Sequence, residues 1–278
     1  MIVLELVATL GVSAASGLVR VGDELWIVAD DELALARYSF DGHAVGEPLV
    51  LFAGELPREP RARKRAKPDL EALVALGDGD VLALGSGSRK NRDRGALVRG
   101  GRVHGVDLEG LYRRLAQDFD RLNVEGASVL GDRLVLLTRR TGRSGGNTLV
   151  HLDLAATRRA LATAQPALGG ELVVDIVEVA LGEEGGAPYG FTDATPDGDA
   201  LLFTAAAEAT DDPYDDGACR GCIIGRADAR GRVLTRWSVT PTLKLEGITT
   251  FDDHTVLVVA DADDAAIASP LLRARLPV

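Results

Sequence analysis

The chain has 278 residues, 46% hydrophobic and 26% charged, which suits one large folded core and excludes a disordered chain. Forty-two acidic against 31 basic residues leave a net charge of −11. That argues against general nucleic-acid binding, where the phosphate backbone selects a basic face, and is compatible with cation binding. No apolar run is long enough to span a membrane. The first residues, Met1 to Val7, alternate like a strand and lack a basic leader pattern, so a cytoplasmic location is expected.

In chain order, a short unit recurs: a polar residue opening an apolar strand, a tight Gly/Asp turn, and a second apolar strand. It is clearest over residues 67–85 (KPDLEALVALGDGDVLALG) and returns from Ser16, Glu125 and Glu246, more loosely from Thr192. The leading residues Ser16, Glu71, Glu125, Thr192 and Glu246 are spaced 55, 54, 67 and 54 positions apart. Each unit continues into further strands, as at residues 33–40 and 44–52 around the Asp41-Gly42 turn, or 96–99 and 102–106 around Gly100-Gly101. The last repeat lacks one strand, and the stretch from Ile2 to Thr9 is available to complete it. The expectation is an all-β, five-bladed β-propeller with four antiparallel strands per blade, the last blade closed by the N-terminal strand. The blades fall at about 11–56, 68–107, 122–180, 187–240, and 243–278 plus 1–10, in one domain. Two minor helices are expected, Leu108 to Phe119 capped by Asp107 and Ala155 to Ala164. The basic stretch between Pro57 and Pro68 reads as a solvated linker, with an anion-attracting lip or a nucleic-acid contact as its alternative.

In a propeller the first strand of each blade is innermost, so its leading residue lies at one mouth of the central channel. Three carboxylates and two hydroxyls converging there would repel one another unless a cation sat among them. Hard oxygen ligands suit Ca2+, with Mg2+ less suited to a wide ring. The loops joining second and third strands share this mouth: Asp30-Asp31, Ser86 to Asn91, Arg139 to Thr141, Glu208 to Asp216, and Asp261 to Asp264. Arg89, Lys90, Arg139 and Arg140 would receive a small anionic ligand such as phosphate or carboxylate, and Asp30 or Asp31 would orient a water.

Residues 16–31 (SGLVRVGDELWIVADD), the run from Leu136 to Arg140, the run from Tyr189 to Thr192, and the run from Lys244 to Ile248 resemble the soluble calcium-activated nucleotidases, or apyrases. The resemblance implies a five-bladed propeller whose Ca2+ is held by Ser and Glu at the starts of inner strands. It makes Ser16, Glu71, Glu125, Thr192 and Glu246 the metal positions, Thr192 standing where the family has Ser. Asp30, Asp31, Arg139 and Arg140 match the acidic and basic pairs of that family's active mouth, while Gly85 to Asn91 departs from it. The phrases around Glu71 and Glu246 also resemble phytase-like and esterase-like propellers, and a kinship with bacterial propellers of unassigned activity is expected. The functional expectation is a calcium-dependent hydrolase of phosphate anhydrides or esters. A non-enzymatic binding propeller with a structural calcium, and a metal-dependent lactonase or esterase, are the alternatives.

Other signals are weaker. Cys219 and Cys222 have redox or zinc spacing, but no second pair exists, so an incidental or structural role is expected. The acidic stretch Asp211 to Gly217 lacks the alternate spacing of an EF-hand. His43, His104, His151 and His254 fall at far turns or outer strands, so no Ser-His-Asp arrangement is expected.

Overall fold

Short apolar runs bounded by Gly, Asp and Pro favour strands over helices, and strands dominate the computed structural model, which describes residues 1–139, 146–208, 219–262, 264 and 266–277. Strand β1 (Ile2–Thr9) precedes a first antiparallel sheet of β2 (Ala15–Val21), β3 (Glu24–Ala29), β4 (Ala34–Tyr38) and β5 (Leu49–Val50). The second sheet is β6 (Leu70–Gly77), β7 (Asp80–Gly85), β8 (Arg94–Arg99) and β9 (Arg102–Asp107). The third is β10 (Val124–Leu130), β11 (Arg133–Arg139), β12 (Asn147–Asp153) and β13 (Val173–Val179). The remaining strands are β14 (Glu183–Glu184), β15 (Ala187–Asp197), β16 (Ala200–Glu208), β17 (Cys219–Asp228), β18 (Val233–Thr240), β19 (Lys244–Asp252), β20 (Thr255–Asp261) and β21 (Pro270–Arg275). The turn between β8 and β9 illustrates the local logic: Gly100 and Gly101 both have positive φ, 53° and 73°, as a two-residue hairpin matching strand twist requires.

Two expectations are corrected. The strand expected over 44–52 shrinks to Leu49–Val50, because Gly46 takes φ 66° and Pro48 has no N–H to donate. The last two groups of strands are not separate sheets: they form one nine-stranded sheet in the order β14-β15-β16-β17-β18-β1-β21-β20-β19. Its seam is β1, which pairs antiparallel with β21 and also parallel with β18, Ile2 opposite Val239 and Val3 opposite Thr240. Buried Ile2 and Leu4 hold β1 against that seam and cover strand edges that would otherwise stay open.

The strands β2, β6, β10, β15 and β19 touch one another in a closed circuit, β2 on β6, β6 on β10, β10 on β15, β15 on β19, and β19 on β2. Hydrophobic clusters lie between successive groups of strands, for instance Trp26, Leu35, Leu73 and Val81 between the first and second sheets. Leu84, Leu97, Val124 and Leu136 do the same between the second and third. Each such side chain contributes about 1.5–3 kcal/mol on burial. The inner strands approach closely where the residue after the leading position is small, as it is in four of the five repeats, Asp193 being the exception. A Cβ on Gly17 would stand 2.9 Å from Leu73 N, one on Gly126 2.7 Å from Asp193 Cα, and one on Gly247 3.0 Å from Leu18 N.

The connections carry three α-helices among the described residues. The basic stretch read as a linker is helix α1 (Pro60–Ala66), with Pro60 in its first turn and the Glu59 carboxylate accepting from Arg61 and Ala62 N–H groups at 3.0 and 2.6 Å. Helix α2 (Glu109–Leu115) is shorter than expected and begins after Leu108, though Asp107 still accepts the Glu109 N–H at 2.8 Å. Helix α3 (Leu154–Leu161) is capped by Asp153, whose carboxylate accepts from Ala156 N–H at 2.7 Å. None of the helices is long and apolar enough to cross a membrane.

Candidate functional site

Every leading residue sits on a β-bulge. Ser16 is the extra residue between pairs Ala15–Ala29 and Gly17–Val28, and Glu71 between Leu70–Gly85 and Ala72–Leu84. Glu125, Thr192 and Glu246 hold the same place in β10, β15 and β19. A bulge re-aims one side chain and leaves the flanking register intact, so five equivalent bulges on a closed circuit of strands make a ring of equivalent positions. Glu125 is close enough to Glu71 and to Glu246 for its charge to act on both. Ser16 Oγ donates to Ala14 O at 3.2 Å, and Thr192 Oγ1 to Thr204 Oγ1 at 2.8 Å, so both oxygens keep lone pairs for another partner.

The carboxylates are interleaved with cationic side chains. Arg139 meets Glu125 Oε1 at 2.7 Å and Glu208 Oε2 at 3.2 Å, and Lys244 meets Glu208 Oε1 and Glu246 Oε1, each at 3.2 Å. Asn123 also donates to Glu125 Oε1. On the β6 side Lys67 bridges Asp30 and Asp69, and Arg92 binds Asp69 Oδ2 at 2.6 Å. Asp30, Asp69 and Glu71 bring one oxygen each within 4.8 Å of one another, as a metal-binding trio would. Thus, among the described residues, Asp30, Asp69, Glu71, Glu125, Glu208 and Glu246 face Arg92, Arg139, Lys67 and Lys244, an excess of two carboxylates.

Burial in this crowded space holds protons on the acids. It pushes Glu125 up to about 7 against the opposing pull of Arg139 and Lys244, and Glu246 up to about 8 against Lys244 and Arg139. Glu71 is raised well above the ordinary range by burial and then by Asp69, Asp30 and Glu125; Asp30 is raised by burial, with Lys67 opposing. Burial alone would lower Arg139, but Glu125, Glu208 and Glu246 outweigh it and keep the guanidinium charged. A carboxyl whose folded value exceeds its unfolded value binds its proton more tightly when folded. That stabilisation is complete below the ordinary value of 4.5 and is lost as pH rises through about 7 and 8. Urea titrations without added cation should therefore find the chain about 2 kcal/mol or more less stable at pH 8.5 than at pH 5. Equal stability at the two pH values would contradict the raised values.

The expected catalytic residues separate. Asp30, Lys90 and Arg139 line one cleft of about 610 Å³ that opens between the second and third sheets and shares Glu71 and Glu125 with the ring. Asp31 instead anchors α1, accepting from Arg63 Nε at 3.2 Å while its carbonyl accepts from Arg63 at 2.6 Å. Arg140 and the acidic stretch Asp211 to Gly217 lie outside the described residues. Cys219 and Cys222 are free thiols, and Cys222 Sγ donates to Ala205 O at 3.1 Å in the core.

Sequence reasoning missed Lys67, Asp69, Arg92 and Lys244, and placed Glu208 at the mouth without giving it a role. A signal existed for two of them: Asp69 and Lys244 stand two residues before Glu71 and Glu246, hence near the same face of the strand, as Asn123 does before Glu125. Asp193 was missed as well. It follows the bulge where the other strands have Gly or Ala, is fully buried, and accepts the Ile248 N–H at 3.0 Å through Oδ2. Burial raises its pKa well above the ordinary carboxylate range against the pull of the Ile248, Ala194 and Leu18 N–H groups, and the carboxyl ties β15 to β19.

Fold and site together define an all-β, propeller-like protein whose inner strands gather acidic and basic side chains at one end. Residues 11–276 match the family described as DUF6929, a family of unknown function, and the chain belongs to it. No curated protein matches. Among solved structures, the glutaminyl cyclase of Myxococcus xanthus is similar at 13% identity and TM-score 0.54, covering 100% of this chain and 98% of that one. The virginiamycin B lyase of Staphylococcus aureus follows at 12% identity and TM-score 0.44, with 95% and 96% covered. The beta-propeller domain of Myceliophteria thermophila Cps50 (Swd1) shares 14% identity at TM-score 0.40, with 99% and 75% covered. At such identities the likeness concerns the fold alone.

Proposed function

We propose that the chain is a single five-bladed propeller of four-stranded blades, the last completed by β1, that binds a divalent cation at its mouth and hydrolyses phosphate anhydrides or esters there. Ca2+ is preferred over Mg2+ because the oxygens belong to a wide ring of separate strands. The observation that carries the reading is the excess of two carboxylates over cationic side chains in a shielded space, the charge of one divalent ion. Glu125 and Glu246 spend Oε1 on Arg139 and Lys244, which leaves Oε2 for the ion beside Glu71 and the Ser16 and Thr192 hydroxyls. The ion would supply Lewis-acid polarisation of a phosphoryl oxygen.

The chain's own residues would do the rest. An anion entering the cleft meets Lys90, while the acidic floor of Asp30, Asp69 and Glu71 would repel it if unbridged. Asp30 would accept the proton of the attacking water as its oxygen bonds to phosphorus, and the departing oxygen, as the P–O bond breaks, would take a proton from solvent. Calcium at a hundred times its Kd should raise stability by about 2.7 kcal/mol, and chelator should reverse both this and phosphate release from nucleoside triphosphates. Glu71→Gln should abolish the two effects together. Turnover indifferent to chelator, with no stabilisation by Ca2+ or Mg2+, would end the proposal.

A second reading, cation-dependent binding without catalysis, has its own support. Asp30 is engaged by Lys67, Asp31 by Arg63, and Arg139 by Glu125 and Glu208, so these three candidates for charge or proton work already have partners. Stabilisation by Ca2+ without turnover would select it.

A further inference from the structure

The basic run between Pro57 and Pro68 has no part in the reading above, and its surroundings give it one. Helix α1 presents Arg61 and Arg65 one turn apart, with Lys64 beside them on the same face, and all three are exposed. Its last turn is fastened to residues 89–92 through carbonyls rather than acids. Asn91 Nδ2 donates to the Arg65 and Lys67 carbonyls, each at 3.1 Å, and Arg92 donates to the Lys64 carbonyl at 3.1 Å. The exposed cations of α1 are thereby set beside Arg89 and Lys90, and Lys64, Arg89, Lys90 and Arg121 all line the cleft. Arg61, Arg65, Lys90 and Arg121 are held in no ion pair among the described residues. Like charges gathered on a surface repel, yet a chain with 42 acids against 31 bases has carboxylates to spare for them. Glu59 spends its carboxylate on the first turn of α1. Of the exposed acids lining the cleft, Glu109 is paired with Arg113 at 2.6 Å, which leaves Asp120, while half-buried Asp93 feels the charge of Lys90.

Resting on the phosphate reading above, we propose that this lip holds the tail of a short linear oligophosphate, so that the substrate is an anhydride chain of several phosphates rather than a monoester. Each successive phosphate carries charge, and a group of separated, unneutralised cations matches a line of charges better than a single one. Nucleic acid would present a similar charged backbone, but the lip offers no aromatic face to a base. Tyr112 and Phe119, the aromatic residues lining the cleft, are only 3% and 4% exposed. The chain is short because beyond the lip it would meet the field of a protein of net charge −11.

Calorimetric titration of the full chain in chelator tests the lip apart from any bound cation. Tripolyphosphate should bind at least about 10-fold more tightly than orthophosphate, since each further phosphate adds contacts of the strength of exposed ion pairs. That advantage should shrink as salt rises. Arg61→Gln combined with Arg65→Gln should remove most of it, while Arg102→Gln, exposed at the β8–β9 hairpin, should leave it intact. Equal affinity for the two phosphates, an advantage that survives the double change, or tighter binding of a thymidine oligonucleotide of matched charge would overturn the inference. A length advantage lost in the double variant, in a protein that neither binds Ca2+ nor releases phosphate, would keep the lip and reject only the catalytic reading.

Discussion

Replacing Arg139 by methionine is expected to destabilise the chain by about 3–5 kcal/mol at pH 8, because it strands buried Glu125 and leaves Glu208 with Lys244 alone. Glu125 and Glu208 approach Arg139 from different strands, β10 and β16, so the guanidinium is also a tie between the third sheet and the nine-stranded one. The contact with Glu125 is an ion pair at 2.7 Å whose angle falls outside hydrogen-bond geometry, so charge rather than alignment carries it. Two controls separate charge from packing. The loss should shrink at pH 5, where Glu125, already raised to about 7, is protonated and no longer needs a counter-charge. Arg139→Met combined with Glu125→Gln should recover part of the stability. A loss below about 1 kcal/mol at pH 8 by urea denaturation would mean that the network is solvated like an ordinary surface pair.

Gly126→Val is expected to cost about 3 kcal/mol, near the upper end for overpacking, for a different reason. A Cβ at this position would sit 2.7 Å from Asp193 Cα and 3.3 Å from its carbonyl carbon, both on the neighbouring inner strand. Backbone cannot rotate away as a side chain can, so β10 and β15 would have to separate, disturbing the Asp193–Ile248 bond that joins β15 to β19. The damage should therefore spread round the circuit: amide exchange ought to quicken in β15 and β19, not in β10 alone. Unchanged stability in urea would show that the inner strands have slack that these contacts deny.

These expectations rest on different kinds of legibility. The strand–turn–strand unit is local: Gly100-Gly101 makes its hairpin from its own backbone preference, and alternation between Glu24 and Ala29 needs no distant partner. Repetition at near-constant spacing likewise marked Ser16, Glu71, Glu125, Thr192 and Glu246 as equivalent, and all five prove to stand on bulges. The basic run before Lys67 reads as solvated, and none of its residues from Pro60 to Ala66 is buried, but its helical form is not legible in the charge pattern. In the fold it is α1, and it sends Arg63 to Asp31 and Lys67 to Asp30, more than thirty residues away in the chain.

From its sequence alone the chain determined that it would be built of short strands, which residue would lead each repeat, and that these leaders would be oxygen-bearing. Hydrophobic alternation and turn chemistry are properties of neighbouring residues and repeat visibly. Only the tertiary structure decided that Glu125 and Glu246 would be countered by Arg139 and Lys244, that Asp69 would gather Lys67 and Arg92, and that a cleft would open beside the ring. Those pairings join side chains from different repeats, and electrostatic matching across a closed circuit leaves no periodic mark on the chain.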